Sequence, residues 1–547
     1  MRSNPGDDVV DMPPMRDYAE TCRQFRWQVP DTFNFGADVV DAWADDDARP
    51  ALVWCDAVGA EQRLTFADVA RASTRLAAAL AAHGVAQGDR VIIMLPRSPH
   101  WHIAMTACLK LGAVVVPCIS MLTSRDLAYR IAHCGARGIV TTAANVSKVE
   151  RDAAPTVRVA VGGAPGWPGW LDWDELLAEG DERFAPATVA AEDPVAIYYT
   201  SGTSGSPKGV THAARALYVW RVQARYWLDL APGDLIWCTA DTGWSKAGTS
   251  LIFGPWSLGA SVLVYDGPFE PTRRLELLER YRVSVFCAAA TELRSLVHED
   301  VSRYRLDRLR HTVSAGETLN PEIARRWSEL TGAPCREGYG QTESLMSVHN
   351  YPSIPARPGS AGLALPGYIV EVLREDGSSA PRGETGILAI RLPNPNLMLG
   401  YWGEPERMEQ HVVRNAAGAW WSTGDTAYMD ADGYVYLLGR GDDVINSAGY
   451  RIGPAEVENV LLEHPAVREC AAVASPDPDR GEVVKAFVVL VDATQGAEED
   501  LVRALQEHCK TLTAPYKYPR KITFVEDLPK NAAGKVLRAE LRRREFA

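Results

Sequence analysis

No stretch of this chain stays apolar for the ~18–20 residues needed to cross a bilayer, so no membrane-spanning segment is expected. There is no Cys-x-x-Cys pair, and the ten cysteines are too scattered to form a metal-ligand cluster. That pattern disfavours structural zinc and reads instead as buried free thiols in a reducing compartment. An excess of positive charge is also missing. Lys and Arg total 57 against 70 Asp and Glu, a formal charge of −13, which argues against a dedicated polyanion-binding protein. The opening stretch, MRSNPGDDVVDMPPMRDYAE, lacks a basic start followed by an apolar run, and its acids and prolines do not suit a mitochondrial-type presequence. A soluble cytoplasmic protein is the expectation. Neither a repeat with a period of about 20–50 residues nor a low-complexity tract is visible.

What is present looks globular. At 547 residues, with 46% hydrophobic and 23% charged residues, the chain suits about two to four domains. Residues 62–83 carry apolar positions at helical spacing behind a candidate N-cap, Thr65. DRVIIMLP follows as a buried strand, and HWHIAMTACLKLGAVVVPC and RDLAYRIAHCGARGIVTT each read as helix then strand. This alternation predicts α/β layers with largely parallel strands, continued by ASVLVYDG and VSVFCAAA. From about Gly362 the runs become short and β-like, with turns at Asp376-Gly377 and Asp432-Gly433. A small terminal module of helix, two strands and helix follows from about residue 443.

TSGTSGSPKG, Thr200–Gly209, comes directly after the apolar VAIYY. It does not match the Walker A pattern, yet its chemistry is similar. Gly202, Gly205 and Gly209 let backbone N–H groups approach phosphate oxygens, and Thr200, Ser201, Thr203 and Ser204 add hydroxyl donors. Lys208 supplies a point charge. Taken alone, the stretch could equally be a solvated turn. Four later motifs join it: EGYGQTES (Glu337–Ser344), STGDTAYMD around Asp425, GRGDDVINSAGYRIGPAEVE with Arg440, Asp442 and Arg451, and LPKNAAGKVLR with Lys535. Lys530, in the last motif, reads as an ordinary solvated charge.

Together and in this order, the five motifs resemble the AMP-forming acyl-CoA synthetases of the adenylate-forming superfamily, most closely the medium-chain branch. The resemblance implies a large N-terminal lobe of layered α/β sheets with a small β-barrel-like part, residues 1–441. A small mobile α+β lobe, 442–547, would hinge at Asp442. It implies ATP, Mg²⁺ and coenzyme A, no nucleic acid polymer, a carboxylic acid substrate and a possible homo-oligomer. On this pattern Thr200, Ser201, Gly202, Thr203, Ser204, Gly205, Ser206, Pro207 and Lys208 hold the outer phosphates of ATP. Gly316, Glu317 and Glu337 surround adenine, with the base stacked on Tyr339, and Gly338, Gly340 and Gln341 belong to the ATP-binding set. Asp425 and Arg440 fix the ribose, and Arg451 completes the nucleotide set. Thr342 bonds the α-phosphate, Glu343 holds Mg²⁺, and Lys535 reaches the α-phosphate and the attacking carboxylate.

The same resemblance assigns the pantetheine tunnel to Ala448, Gly449 and Tyr450. It gives the coenzyme A phosphates to Arg480, Lys510, Tyr518, Pro519 and Arg520. Ala448 stands where the family usually has serine, which removes one hydroxyl. Trp244 falls at an acyl-pocket wall, although an ordinary core indole is nearly as common a reading. Gly340 stands where acetate-specific relatives carry tryptophan, so an acid larger than acetate is implied: medium-chain, branched or aromatic. Two alternatives stay open, an adenylating enzyme that loads a carrier protein and a non-catalytic nucleotide- or acyl-binding homologue.

Overall fold

The computed structural model describes residues 12–150, 154–200, 207–317, 319–440, 443, 445–447, 450–477, 480–491, 498–513, 517–530 and 536–546, leaving out the side chains of residues 440, 446, 450 and 451. Two parallel-rich sheets build the larger lobe. One has nine strands in the order Leu363–Ala364, Leu345–His349, Cys335–Gln341, His311–Ala315, Val285–Ala288, Leu235–Cys238, Ser261–Asp266, Pro50–Asp56 and Glu61–Thr65. Its strands from Cys335–Gln341 to Pro50–Asp56 all run parallel, and the outer strands are antiparallel. The other has eight strands in the order Gly400–Tyr401, Lys208–Ala213, Pro194–Thr200, Val114–Pro117, Arg90–Met94, Gly138–Thr142, Val157–Val161 and Leu171–Asp172. Only the first two pairings there are antiparallel. Continuous apolar runs such as Val114–Pro117, buried at every residue, are what a parallel strand covered on both faces requires.

Local sequence sets the helix boundaries. The helix Phe66–Ala82 starts from a capping box in which Thr65 and Asp68 each bond the other's backbone N–H. Thr65 is the N-cap that the sequence indicated, and residues 62–65 before the helix finish the strand Glu61–Thr65. Thr123 and Asp126 repeat the device for Ser124–Cys134, which ends on the left-handed Gly135 at φ 60°. Ala214–Tyr226 buries nearly every side chain, Trp220 included, as a helix covered on all sides must. The ring of Trp220 meets Phe253 of the π-helical turn Gly248–Phe253 at 5.1 Å.

After Gly362 the chain forms a five-stranded antiparallel sheet of Val370–Leu373, Gly386–Arg391, Gly418–Met429 and Val412–Asn415, with Val435–Arg440 paired to Gly418–Met429. The smaller lobe pairs Tyr450–Ile452, Ile445–Ser447, Gly481–Leu490 and Val467–Asp477, and adds Lys521–Phe524 parallel to Gly481–Leu490. Helices Pro454–Leu462 and Glu498–Leu512 close its own core around Val457, Leu461, Val484, Leu505 and Cys509. A mixed α/β larger lobe with a small α+β partner is the architecture that the order of elements predicted. Asp442, the expected hinge, lies outside the described residues. All ten cysteines are free, eight of them buried. Among the described residues no helix is long and apolar enough to cross a membrane.

Candidate functional site

The parallel strands of both sheets deliver their carboxyl ends to one seam, the place where open α/β sheets bind ligands. The loop after Leu235–Cys238 lies against the loop after Val114–Pro117 so closely that a Cβ on Gly243 would sit 2.4 Å from the Ile119 amide nitrogen. Lys246 donates to the carbonyls of Ala315 at 3.0 Å and Ala288 at 3.4 Å, the last residues of their strands. His212, on a strand of the other sheet, donates from Nε2 to the Thr342 carbonyl at 2.8 Å and so ties the sheets together at the seam. Burial pushes that imidazole down to about 4, so it is neutral.

Three candidate residues converge at one corner. The Asp425 Oδ2 accepts the Tyr339 phenol at 2.5 Å and the Gln341 Nε2 at 2.7 Å, while the same Gln341 nitrogen donates to the Thr423 carbonyl at 2.8 Å. Asp425 also faces Arg440 directly in the register of their two strands. An acceptor fixed by two donors from a strand of the nine-stranded sheet is oriented before any ligand arrives.

A second corner gathers the phosphate candidates. Thr200 and Lys208 are opposite residues of an antiparallel pair, so residues 201–207 connect two strands. Pro207 accepts the Tyr129 phenol on its carbonyl at 2.9 Å. The Lys208 ammonium lies 5.2 Å from the centre of the Tyr401 ring, and the Tyr401 phenol donates to Glu343 Oε1 at 3.0 Å. One tyrosine thus touches both a cation and a carboxylate assigned to the phosphates and their metal. Thr342 adds its hydroxyl, 3.2 Å from that of Ser245.

The adenine candidates line the nine-stranded sheet. Gly316 takes φ +96° with no atom within 4 Å of a would-be Cβ, an open left-handed turn. Glu317 accepts the Thr291 N–H at 2.7 Å. Glu337 is 8% exposed and accepts the Leu319 N–H at 3.2 Å. Burial raises its carboxyl from 4.5 to about 8, so it is protonated at neutral pH. Gly338 has Trp227 2.7 Å from a would-be Cβ.

Gly340 has a reason to be glycine beyond leaving room for an acid. A Cβ there would lie 2.0 Å from the Leu345 carbonyl oxygen, across the bulged pairing of Cys335–Gln341 with Leu345–His349. Trp244, half-buried, accepts the Ala247 N–H at the head of the short helix Ser245–Ala247.

In the smaller lobe the Tyr518 ring stands between two coenzyme A candidates, Lys510 at 4.6 Å and Arg520 at 5.0 Å. Lys510 also pairs with Glu507 at 2.6 Å, and the carbonyls of Pro519 and Arg520 accept from Gln506 Nε2. Arg480 lies next to Gly481, which pairs with Ser447, and its Nε is buried without a partner. Ser447, opposite Tyr450 in the strand register, therefore sits beside Arg480. Ser201, Gly202, Thr203, Ser204, Gly205, Ser206, Ala448, Gly449 and Lys535 lie outside the described residues, as do the side chains of Arg440, Tyr450 and Arg451.

Tyr401, His212, Ser245 and Lys246 were not legible beforehand. Ser245 and Lys246 directly follow the candidate Trp244, but neither carried a signal of its own. Burial opposes the Lys246 charge, yet Cys287, Cys238, Glu292 and Glu317 together hold its ammonium above the ordinary value.

Comparison with known proteins agrees with this geometry. Residues 40–402 match the AMP-binding enzyme family and residues 456–535 the AMP-binding enzyme C-terminal domain. Acyl-coenzyme A synthetase ACSM3, mitochondrial, of Mus musculus is 40% identical over 97% of this chain and 93% of its own length. A crystal structure of the anthranilate CoA ligase AuaEII in complex with anthranoyl-AMP superposes with a TM-score of 0.85, at 30% identity, covering 94% of this chain and 98% of that one. The crystal structure of Brucella canis acyl-CoA synthetase gives 0.74 at 35% identity, covering 99% and 98%. The chain belongs to the AMP-binding enzyme family. Within it, the chain is an AMP-forming acid–CoA ligase of the acyl-CoA synthetase type.

One expectation is overturned. The relatives are named mitochondrial, which points away from the cytoplasm. Buried free thiols persist in any reducing compartment, so cysteine usage could not separate the two.

Two tests follow from the geometry. Glu337 holds a proton in the folded chain between pH 4.5 and about 8 that the unfolded chain has released. Its contribution to stability is complete below 4.5 and is lost as pH rises towards 8. Glu337→Gln should flatten that part of the melting-temperature profile, read by thermal unfolding across the window. Gly340→Ala should cost about 1–3 kcal/mol in urea unfolding, because the clash is with backbone that cannot rotate aside.

Proposed function

We propose that the ligase activates a medium-chain, branched or aromatic carboxylic acid with ATP and passes the acyl group to coenzyme A. The observation that carries the assignment of roles is the pair of corners in one seam: Asp425 held by Tyr339 and Gln341, and Tyr401 joining Lys208 to Glu343. The aromatic option draws support from the superposed anthranilate CoA ligase.

In the first step a carboxylate oxygen of the acid bonds to the α-phosphorus of ATP. The α–β phosphoanhydride bond breaks, giving acyl-adenylate and pyrophosphate. Negative charge crowds onto phosphorus, so positive groups placed in advance lower the barrier. Lys208 and the hydroxyl-rich residues 200–206 grip the departing pyrophosphate, Thr342 the α-phosphate, and Lys535 the α-phosphate and the incoming carboxylate. Tyr339 stacks on adenine, and Asp425 accepts the ribose hydroxyls.

Mg²⁺ suits this donor set. A magnesium shared with phosphates and water needs only one or two protein carboxylates, and Glu343 supplies one whose second contact is a neutral phenol. Bound there, Mg²⁺ would neutralise phosphate charge.

In the second step the coenzyme A thiolate bonds to the acyl carbon, the carbon–oxygen bond to AMP breaks, and AMP leaves with the electron pair. The smaller lobe, 442–547, turns about Asp442 between the steps. That motion exchanges Lys535 for a tunnel lined by Ala448, Gly449 and Tyr450, with Arg480, Lys510 and Arg520 on the nucleotide phosphates.

A pyrophosphate-release screen over acids of rising chain length and aromatic acids tests the substrate class. Release should be weakest with acetate and strongest with a larger acid; equal or greater release with acetate overturns the class. Transfer to a phosphopantetheinyl carrier protein in place of coenzyme A would favour the carrier-loading reading. Lys535→Ala should slow adenylate formation by about a hundred- to a thousandfold. Thioester formation from supplied acyl-adenylate should be spared, and equal loss in both assays removes the assignment of Lys535 to the first step.

A further inference from the structure

Glu469, on the strand Val467–Asp477, is 9% exposed and divides its carboxylate between the two lobes. Its Oε2 pairs with Lys530 of its own lobe at 2.8 Å, and its Oε1 lies 3.7 Å from Arg294 Nη1 of the larger lobe. Lys530 is therefore not the solvated charge its sequence context suggested. It sits at the base of the segment that contains Lys535. Lys530 and Val536 pair as an antiparallel bridge, and the Leu537 N–H donates to the Pro529 carbonyl at 2.8 Å.

The far side of the same segment is mounted in a similar way. Arg538 holds Glu458 with two bonds, at 2.9 and 2.6 Å. Glu458 belongs to the helix Pro454–Leu462, and the carbonyl of its neighbour Asn459 accepts Asn320 Nδ2 of the larger lobe at 3.2 Å. Both larger-lobe partners stand next to adenine-side carboxylates. Glu317 accepts the Thr291 N–H in the first turn of the helix Ala290–Leu296 that bears Arg294. Glu337 accepts the N–H of Leu319, one residue before Asn320. Two short chains of contacts thus run from the nucleotide seam to the two ends of the Lys535 segment.

We propose that Glu469 and Arg294 are a positioning pair that sets the small lobe for the adenylate-forming step, by tying the base of the Lys535 segment to the larger lobe. This rests on the reading of Lys535 given above. Neither residue touches the reacting atoms. The pair exists only while the lobes are docked, so it favours that orientation by whatever its attraction gains over the rehydration of the two charges on separation. At 3.7 Å the contact is long and its Arg294 side chain is 21% exposed, so the bias is modest, as it must be for an interface that opens on every turnover.

The test compares the two half-reactions in the full-length chain, using the acid that gives the fastest pyrophosphate release with wild type. Glu469→Gln and Arg294→Gln should each slow pyrophosphate release about three- to fivefold. Thioester formation from supplied acyl-adenylate and coenzyme A should stay within about twofold of wild type. The double variant should be no slower than the worse single, because the two residues act through one contact. Arg294→Lys should recover most of the first step. Equal loss in both half-reactions, loss in neither, or additive loss in the double variant overturns the proposal. If Glu469→Gln fails to fold, Arg294→Gln decides alone, since Arg294 contributes nothing to the small lobe's own core. A wild-type chain that releases no pyrophosphate with any acid counts against the proposed function instead, so the two failures are told apart.

Discussion

The pocket proposed here for a polyphosphate and its metal has to keep a cation and an anion close together in the absence of the ligand that would separate them. Tyr401 meets that constraint. Its ring faces the Lys208 ammonium and its hydroxyl binds Glu343, so both groups contact a neutral partner that a phosphate or a metal can supplement without a large change in desolvation. The tyrosine can do this because Gly400–Tyr401 is the edge strand beside Lys208–Ala213, with Tyr401 opposite Val210. Backbone pairing at the sheet edge therefore places the ring between Lys208 and Glu343.

The seam itself follows from the parallel sheets. Parallel strands must return through crossover connections, so all their carboxyl ends open on one side and their loops are left to do chemistry. Here two sheets share that side, and the His212 bond to Thr342 spans them. Dense packing around the seam also explains its electrostatics. Glu337 is protonated and His212 neutral for the same reason: neither has enough water or opposite charge to support ionisation. A neutral carboxyl beside the proposed adenine position can donate a hydrogen bond as well as accept one, which suits a heterocycle carrying both kinds of edge.

How much of this was readable from the sequence depended on how local the cause was. Thr65 and Asp68 cap a helix three residues apart, and Asp432-Gly433 turns a hairpin between neighbours, so the chain itself announces both. The motif residues Asp425, Tyr339 and Gln341 were legible as candidates, but their mutual bonds depend on two different sheets meeting. Tyr401 and Lys246 carried no signal of their own, because each gains its meaning from strands far away in sequence. Gly340 was read as space for a substrate, whereas the bulge against Leu345 shows a backbone reason that no composition or spacing could reveal. Compartment was misread because the residues that fold the chain do not record where it is delivered.

Lobe orientation is the least local property of all, and the contacts across the interface show how it can be governed weakly and still reliably. A large apolar interface would lock the small lobe in place, while none would leave the orientation of the Lys535 segment to chance. The contacts given by Arg294 with Glu469 and Asn320 with Asn459 are few and polar, so they discriminate by geometry more than by strength. Their roots lie at Glu317 and Glu337, which bind backbone N–H groups of the segments that reach across. Any ligand that fixes those carboxylates also fixes the amides they hold, and differential binding of this kind is the only means by which occupancy can shift an equilibrium between orientations. The two glutamates proposed to frame adenine therefore stand where nucleotide binding and lobe docking can be linked by bonds already present in the fold.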